Sequence, residues 1–114
     1  MSEERPVYLR LRDSIAAMIL EGRVGDGDPL PSVRSLAADF GANPLTVAKA
    51  YQGFQDEGLI VVRRGVGLFV APGASDRLRK AERDDFLNHR WPAIVAQIRR
   101  LGLDPRELLE RVSA

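Results

Sequence analysis

Residues 30–70 carry most of the information about the fold and read LPSVRSLAADFGANPLTVAKAYQGFQDEGLIVVRRGVGLFV. Ser32 and Asn43 each stand before a short segment whose apolar residues recur at helical spacing, as helix N-caps do. Gly41 and Gly58 follow these two segments, and glycine is the residue that most often follows a helix. The stretch therefore predicts two short helices joined by a tight turn.

The end of the same stretch is typical of a β-hairpin. Residues 59–63 and 68–70 are short runs rich in Ile, Val and Leu, which favour strands, and the Arg-Gly-Val-Gly segment at 64–67 gives the hairpin a basic, tightly turning tip. Nearer the start of the chain, apolar residues three or four apart between Tyr8 and Ile19 predict another helix. The turn-forming residues 24–31 predict a loop between that helix and the next.

Three helices followed by a two-stranded hairpin form the element order of a winged helix-turn-helix. A helix fits the major groove of DNA, and a hairpin can lie along the backbone or in the minor groove. We therefore predict an α+β fold that is mainly α, with a winged helix-turn-helix DNA-binding domain over residues 6–74. Pro72-Gly73 breaks the chain near the end of this domain.

Residues 75–114 predict a short helical segment of a different kind. Residues 76–101 are helix-prone, and Pro92 should kink or divide their helix. Asp104-Pro105 supplies a cap and a first-turn proline for a last helix through Val112. The second half of the helix at 76–101 has an apolar face, which two helices cannot bury alone. We therefore expect a dimerisation segment, the alternative being that this face packs against the first helix of the same chain. The predicted dimer-interface residues are Phe86, Leu87, Trp91, Ile94, Ile98 and Leu101.

Composition excludes several classes of protein. The chain of 114 residues has a formal net charge of +1, so a nucleic-acid surface must come from charges placed on one face. Because the chain has no cysteine, disulfides, thiolate nucleophiles and cysteine-bound zinc are excluded. His89 has no second His or Cys at ligand spacing, and no nucleophile, base and orienting group converge. We predict no metal, no cofactor and no enzymatic activity.

Hydropathy gives an expectation about location. The longest uninterrupted apolar run is residues 15–20, far short of the about 18 residues that a membrane-spanning helix needs. The start Ser2-Glu3-Glu4 lacks the pattern of a secretory signal. We expect a cytoplasmic protein that does not contact a membrane.

Several motifs in order resemble the GntR family of bacterial transcription regulators. They are LPSVRSLA at 30–37, NPLTV at 43–47, EGLI at 57–60 and RGVGLFV at 64–70. The resemblance covers residues 6–72, and the short tail with Gly102-Leu103-Asp104 is similar to that of the YtrA-type subfamily, which lacks a large effector-binding domain. It implies a non-catalytic homodimeric repressor of a palindromic operator, often near genes for membrane transporters, with the C-terminal helices forming the dimer.

The resemblance also implies which residues contact DNA. In the family, contacts come from the arginine after the Pro-Ser start, from the residues that open the third helix and from the glycine-rich wing. The corresponding residues are Arg34, Leu45, Thr46, Lys49, Arg64, Gly65 and Gly67. Arg63 lies beside the same wing turn and joins this set, the alternative for both wing arginines being protection of an edge strand.

Two positions depart from the family pattern. Subfamily members often have a polar residue where this chain has Leu45, which can touch a thymine methyl but cannot hydrogen-bond a base edge. The wing has Leu68 in place of the usual threonine and so lacks a hydroxyl that could reach a phosphate oxygen.

Two other functions stay open from the sequence. A winged helix can serve as a protein-interaction module, because the fold does not dictate the function. A regulator can also be gated by a metabolite or metal bound at the dimer interface, although the sequence shows no ligand signature. The expected clustering of Arg34, Lys49 and Arg64 on one face favours double-stranded DNA as the partner.

Overall fold

The computed structural model describes residues 6–112 of the chain. Over this range the elements are α1 (Val7–Leu20), α2 (Val33–Phe40), α3 (Pro44–Asp56), β1 (Ile60–Arg63), β2 (Gly67–Val70), α4 (Ala74–Asp85), a π-helical turn (Phe86–Arg90), α5 (Trp91–Arg100) and α6 (Pro105–Glu110). This order confirms the predicted winged helix-turn-helix fold, which is mainly helical with a small two-stranded sheet.

The two helices of the helix-turn-helix begin and end at the predicted residues. Ser32 Oγ accepts a hydrogen bond from the Ser35 backbone N–H at 3.0 Å, and Asn43 Oδ1 accepts one from the Leu45 N–H at 2.8 Å. Each cap satisfies a backbone donor that has no partner inside its helix. Gly41 ends α2 with a φ of 63°, a left-handed conformation that glycine adopts without steric cost.

The core of the first compact unit, which extends to Arg79, is formed by the helices and the inner side of the hairpin. Tyr51 is only 1% exposed, and its hydroxyl donates to the Pro31 backbone oxygen at 2.7 Å. Burial raises the pKa of Tyr51 to about 12. This hydrogen bond joins α3 to the chain just before α2. The other large, fully buried side chains are Phe54, Leu11, Ile15, Ile19, Val47 and Val70.

The wing is paired on both sides of β2. On one side β1 and β2 are antiparallel, from Ile60 opposite Val70 to Arg63 opposite Gly67. On the other side the Leu30 N–H donates to the Leu68 oxygen at 2.8 Å, and the Val70 N–H donates to the Asp28 oxygen at 3.0 Å. The prediction of a plain loop at 24–31 was therefore incomplete, because part of this segment satisfies the outer edge of β2.

The start of α4 is held by hydrogen bonds within the first unit. Asp26 accepts from the Gly73 N–H at 2.8 Å, from the Ser75 hydroxyl at 2.9 Å and from the Ser75 N–H at 3.2 Å. These bonds, led by the one from Gly73, hold the pKa of Asp26 below its ordinary value. Farther along α4, Arg77 Nη2 donates to the Glu57 backbone oxygen at 2.9 Å.

The chain divides into its two compact units between Arg79 and Lys80, somewhat beyond the boundary expected between residues 74 and 75. Ala74 and Leu78 explain the difference, because both are buried in the core of the first unit. The division into a DNA-binding domain and a dimerisation segment stays a prediction.

The helical pattern changes just before Pro92, where a kink or division was expected, and the chain stays helical through Arg100. The Trp91 N–H donates to the Phe86 oxygen, the five-residue spacing of a π-helix, and Pro92 then lies in the first turn of α5. Proline has no N–H to continue the α-helical pattern, so the pattern changes at this place. The last helix is shorter than predicted, since α6 ends at Glu110 and Val112 lies outside it. None of the helices described has the length and hydropathy to cross a bilayer.

Candidate nucleic-acid interface

The outer face of α3 presents the side chains predicted to enter DNA. Leu45 is 74% exposed, Lys49 is exposed and Thr46 is half-buried. Together with Ala48 and Gln52 they line a shallow depression of about 400 Å³. The opposite face of α3 is buried in the core, so the helix has one side for packing and one side free for a ligand.

The first turn of α2 carries the next predicted contact. Arg34 is exposed, directly after the N-terminal residue of α2. The structure gives Arg34 and Lys49 no ion pair with another residue among 6–112. A cation without an ion-pair partner near a helix N-terminus suits a phosphate, because the helix dipole also favours an anion there.

At the tip of the wing, Arg63 and Arg64 have different surroundings, which the sequence alone could not distinguish. The Val66 N–H donates to the Arg63 oxygen at 2.8 Å, and Gly65 has a φ of 75°, which allows the tight turn. The Arg63 guanidinium lies 4.4 Å from the centre of the Phe69 ring, so a cation–π contact holds it on the sheet. Arg64 has no such contact with another described residue and is free to reach a phosphate.

All eight predicted DNA contacts lie in the first unit, and each is exposed or half-buried. Sequence reasoning missed the residues that hold α3 in place and are not themselves predicted DNA contacts. Arg12 on α1 forms an ion pair with Glu57 at 3.0 Å, and its guanidinium lies 4.2 Å from the centre of the Phe54 ring. The charge of Arg12 gave no signal of this role, since only the fold brings α1 to the end of α3.

Gly53 makes room for Arg12. A Cβ atom added at Gly53 would overlap Nη1 of Arg12, so the guanidinium crosses α3 where the helix has no side chain. Burial acts to lower the pKa of Arg12, but hydrogen bonds to Tyr8 and Glu57 outweigh it and hold the pKa above its ordinary value. Arg12 and Gly53 therefore form a matched pair that joins α1 to the recognition helix.

The predicted dimer-interface residues lie on the second unit. Trp91 is 41% exposed, Ile98 is half-buried, and the rings of Phe86 and Trp91 are 6.3 Å apart. Phe86, Leu87, Ile94 and Leu101 are also exposed.

An apolar groove of about 360 Å³ brings some of these residues together. Trp91, Ile94 and Ile98 line it, whereas Phe86, Leu87 and Leu101 do not. The groove adds residues that the prediction omitted, although the adjacent leucines of the last helix were a signal for them. The added residues are Pro105, Leu108, Leu109 and Val112.

No group of three or more His, Asp or Glu side chains among residues 6–112 could hold a metal ion. His89 is exposed and lies 3.2 Å from Asp85, as a surface pair one helical turn apart.

Comparison with known proteins identifies the family. The family model described as "Bacterial regulatory proteins, gntR family" matches residues 7–70. The uncharacterized HTH-type transcriptional regulator YhcF of Bacillus subtilis is 33% identical over 110 residues, which cover 95% of this chain and 88% of that protein. The HTH-type transcriptional repressor YtrA of Bacillus subtilis is 40% identical over 73 residues, which cover 64% of this chain and 56% of the repressor.

Solved structures agree with this assignment. A GntR family transcriptional regulator from Listeria monocytogenes shares the fold with a TM-score of 0.76 at 23% identity, over 99% of this chain and 100% of that one. The DNA-binding domain of AraR, solved in complex with operator ORR3, has a TM-score of 0.58 at 27% identity, over 62% of this chain and 86% of that one. The chain therefore belongs to the GntR family, has YtrA-type relatives and is a transcriptional regulator with a DNA-binding helix-turn-helix, not an enzyme.

Proposed function

We propose that this regulator is a homodimeric repressor that binds a palindromic operator. The observation that carries the proposal is the free outer face of α3, where Leu45 and Lys49 are exposed, Thr46 is half-buried and Lys49 has no ion pair among the described residues. Repression is proposed because YtrA, a relative that matches over 64% of this chain, is named a repressor. Transporter genes are the proposed targets, on the resemblance to the YtrA-type subfamily.

Each DNA-contacting element has a separate role in this proposal. The N-terminal half of α3 enters the major groove, where base edges can be read. Arg34 and Arg64 bind phosphates from the start of α2 and the tip of the wing, with Gly65 and Gly67 letting the wing backbone come close to the DNA. Arg63 supports the wing from its place over Phe69. Phosphate contacts fix the position of α3, and base contacts provide the specificity.

Dimerisation supplies a second DNA-binding unit, which binds the second half-site of the operator. The apolar groove with Trp91, Ile94 and Ile98 is proposed as part of the interface, because a patch of this kind on a small tail favours burial against another subunit. A dimer with two-fold symmetry reads a palindrome. A regulator that binds a chromosomal operator works where the chromosome is, so the proposal includes a cytoplasmic location.

Recovery and sequencing of the genomic fragments that the purified protein binds at near-physiological salt tests the proposal. Lys49→Ala and Arg64→Ala are compared with Lys80→Ala, a matched control on α4 where Lys80 pairs with Asp84 at 3.2 Å. We expect one shared palindrome for the wild type and the control, and its loss in the other two variants. Binding that enriches no shared sequence and that disappears when salt is added would contradict the proposal and support a protein-interaction module.

A further inference from the structure

The start of the recognition helix is unusually apolar for a surface that binds a charged polymer. Leu45 is the second residue of α3 and is 74% exposed. Its backbone N–H already donates to Asn43 Oδ1 at 2.8 Å, and its side chain has no atom that can hydrogen-bond. Ala48, nearly one turn later, is also exposed and borders the same depression. Neither side chain can hydrogen-bond to a phosphate or to the polar part of a base edge.

Base pairs present one apolar group in the major groove, which is the C5-methyl group of thymine. We propose that Leu45 is a specificity-determining residue that packs against a thymine methyl, with Ala48 leaving room for that methyl in the depression. The inference rests on the proposed entry of α3 into the major groove. It deepens that proposal by assigning a thymine to one fixed position in each half-site.

The positive charge beside the depression favours DNA as its occupant. Lys49 lies one helical turn beyond Leu45 on the same face, and it has no ion pair within residues 6–112. Arg34 and Arg64 are likewise exposed without ion pairs to other described residues. An apolar spot beside an unpaired lysine suits a thymine methyl in a groove bordered by phosphates. Lys49 contributes affinity in this arrangement, and Leu45 contributes the discrimination.

Replacement of thymine by deoxyuridine tests this inference because it removes the methyl group and leaves base pairing unchanged. The operator recovered above is synthesised with each thymine replaced in turn, symmetrically in both half-sites, and the Kd is measured by fluorescence anisotropy. We expect one symmetric position at which deoxyuridine weakens wild-type binding about fifteen-fold, from about four-fold for each buried methyl. Leu45→Ala should bind the thymine and deoxyuridine duplexes equally at that position.

Leu103→Ala is the matched control, because Leu103 is an exposed leucine of the second unit that lines neither the depression nor the groove. It should keep the wild-type discrimination. Equal binding of all deoxyuridine duplexes by the wild type, or discrimination that persists in Leu45→Ala, would overturn the inference while leaving operator binding intact. Failure of the wild type to prefer the thymine operator over random duplex would instead overturn the proposed function. The thermal unfolding midpoint of Leu45→Ala should match the wild type, because the side chain is exposed.

Discussion

Replacement of Gly53 by alanine should have different effects on the free energy of unfolding in two backgrounds. Alanine in place of glycine inside a helix normally stabilises the folded state by about 1 kcal/mol. In this protein the added Cβ overlaps Nη1 of Arg12, so the guanidinium has to leave its place. The move gives up an exposed ion pair with Glu57, worth about 0.5 kcal/mol, and a cation–π contact with Phe54, worth about 0.5–1 kcal/mol. The gain and the loss nearly cancel, so Gly53→Ala alone should change the free energy of unfolding little.

The cancellation disappears when Arg12 is removed first. In an Arg12→Ala background the overlapping guanidinium is gone. Gly53→Ala should then raise the free energy of unfolding by about 1 kcal/mol. The difference between the two backgrounds is a coupling energy of about 1–1.5 kcal/mol.

Urea unfolding followed by circular dichroism measures this double-mutant cycle. All four proteins are compared at one protein concentration, since dimerisation would otherwise shift the apparent stability. If Gly53→Ala raises the free energy of unfolding by about 1 kcal/mol in both backgrounds, the reasoning is refuted. The contacts of Arg12 would then not depend on the absence of a side chain at Gly53.

Three further predictions concern DNA binding, assembly and pH. Lys49→Ala should reduce the slope of log K against log salt by about one if Lys49 contacts a phosphate, and an unchanged slope in a titration from low to high salt would argue against that contact. Trp91→Ala should convert the dimer to a monomer in analytical ultracentrifugation, and an intact dimer would remove Trp91 from the interface. Asp26→Asn should lower the unfolding midpoint at pH 7. Because the folded-state pKa of Asp26 is depressed, its stabilisation is present above the ordinary value of 3.8 and lost as the pH falls through the folded-state pKa. The wild type and Asp26→Asn should therefore converge in acid, and a constant difference down to low pH would contradict the role of the carboxylate.

Local signals in the sequence were enough to place most of the elements. Ser32 and Asn43 cap the helices that they were expected to cap, because a cap depends only on residues two or three positions away. The helical pattern changes beside Pro92, near the expected place, for the same reason, since the missing N–H is a property of the residue itself.

Contacts between distant parts of the chain could not be predicted in this way. The pairing of Leu30 with Leu68 and the position of Arg12 over Phe54 arise only after the fold brings these segments together. The different roles of Arg63 and Arg64 depend on which of them lies over Phe69. The same holds for the candidate site, where sequence motifs named the contact residues but the depression beside Leu45 needed coordinates.

The hydrogen bonds at the start of α4 have a consequence for exchanging the C-terminal segment of this chain. Asp26 and Arg77 hold the first turns of α4 from within the first unit, and these hydrogen bonds involve no residue after Arg79. A new C-terminal segment can be grafted after that residue by continuing the helix in phase, with no change to the bonds beneath it. The position after Arg79 is therefore a site at which one C-terminal segment can be replaced by another while the hydrogen bonds of the first unit stay intact.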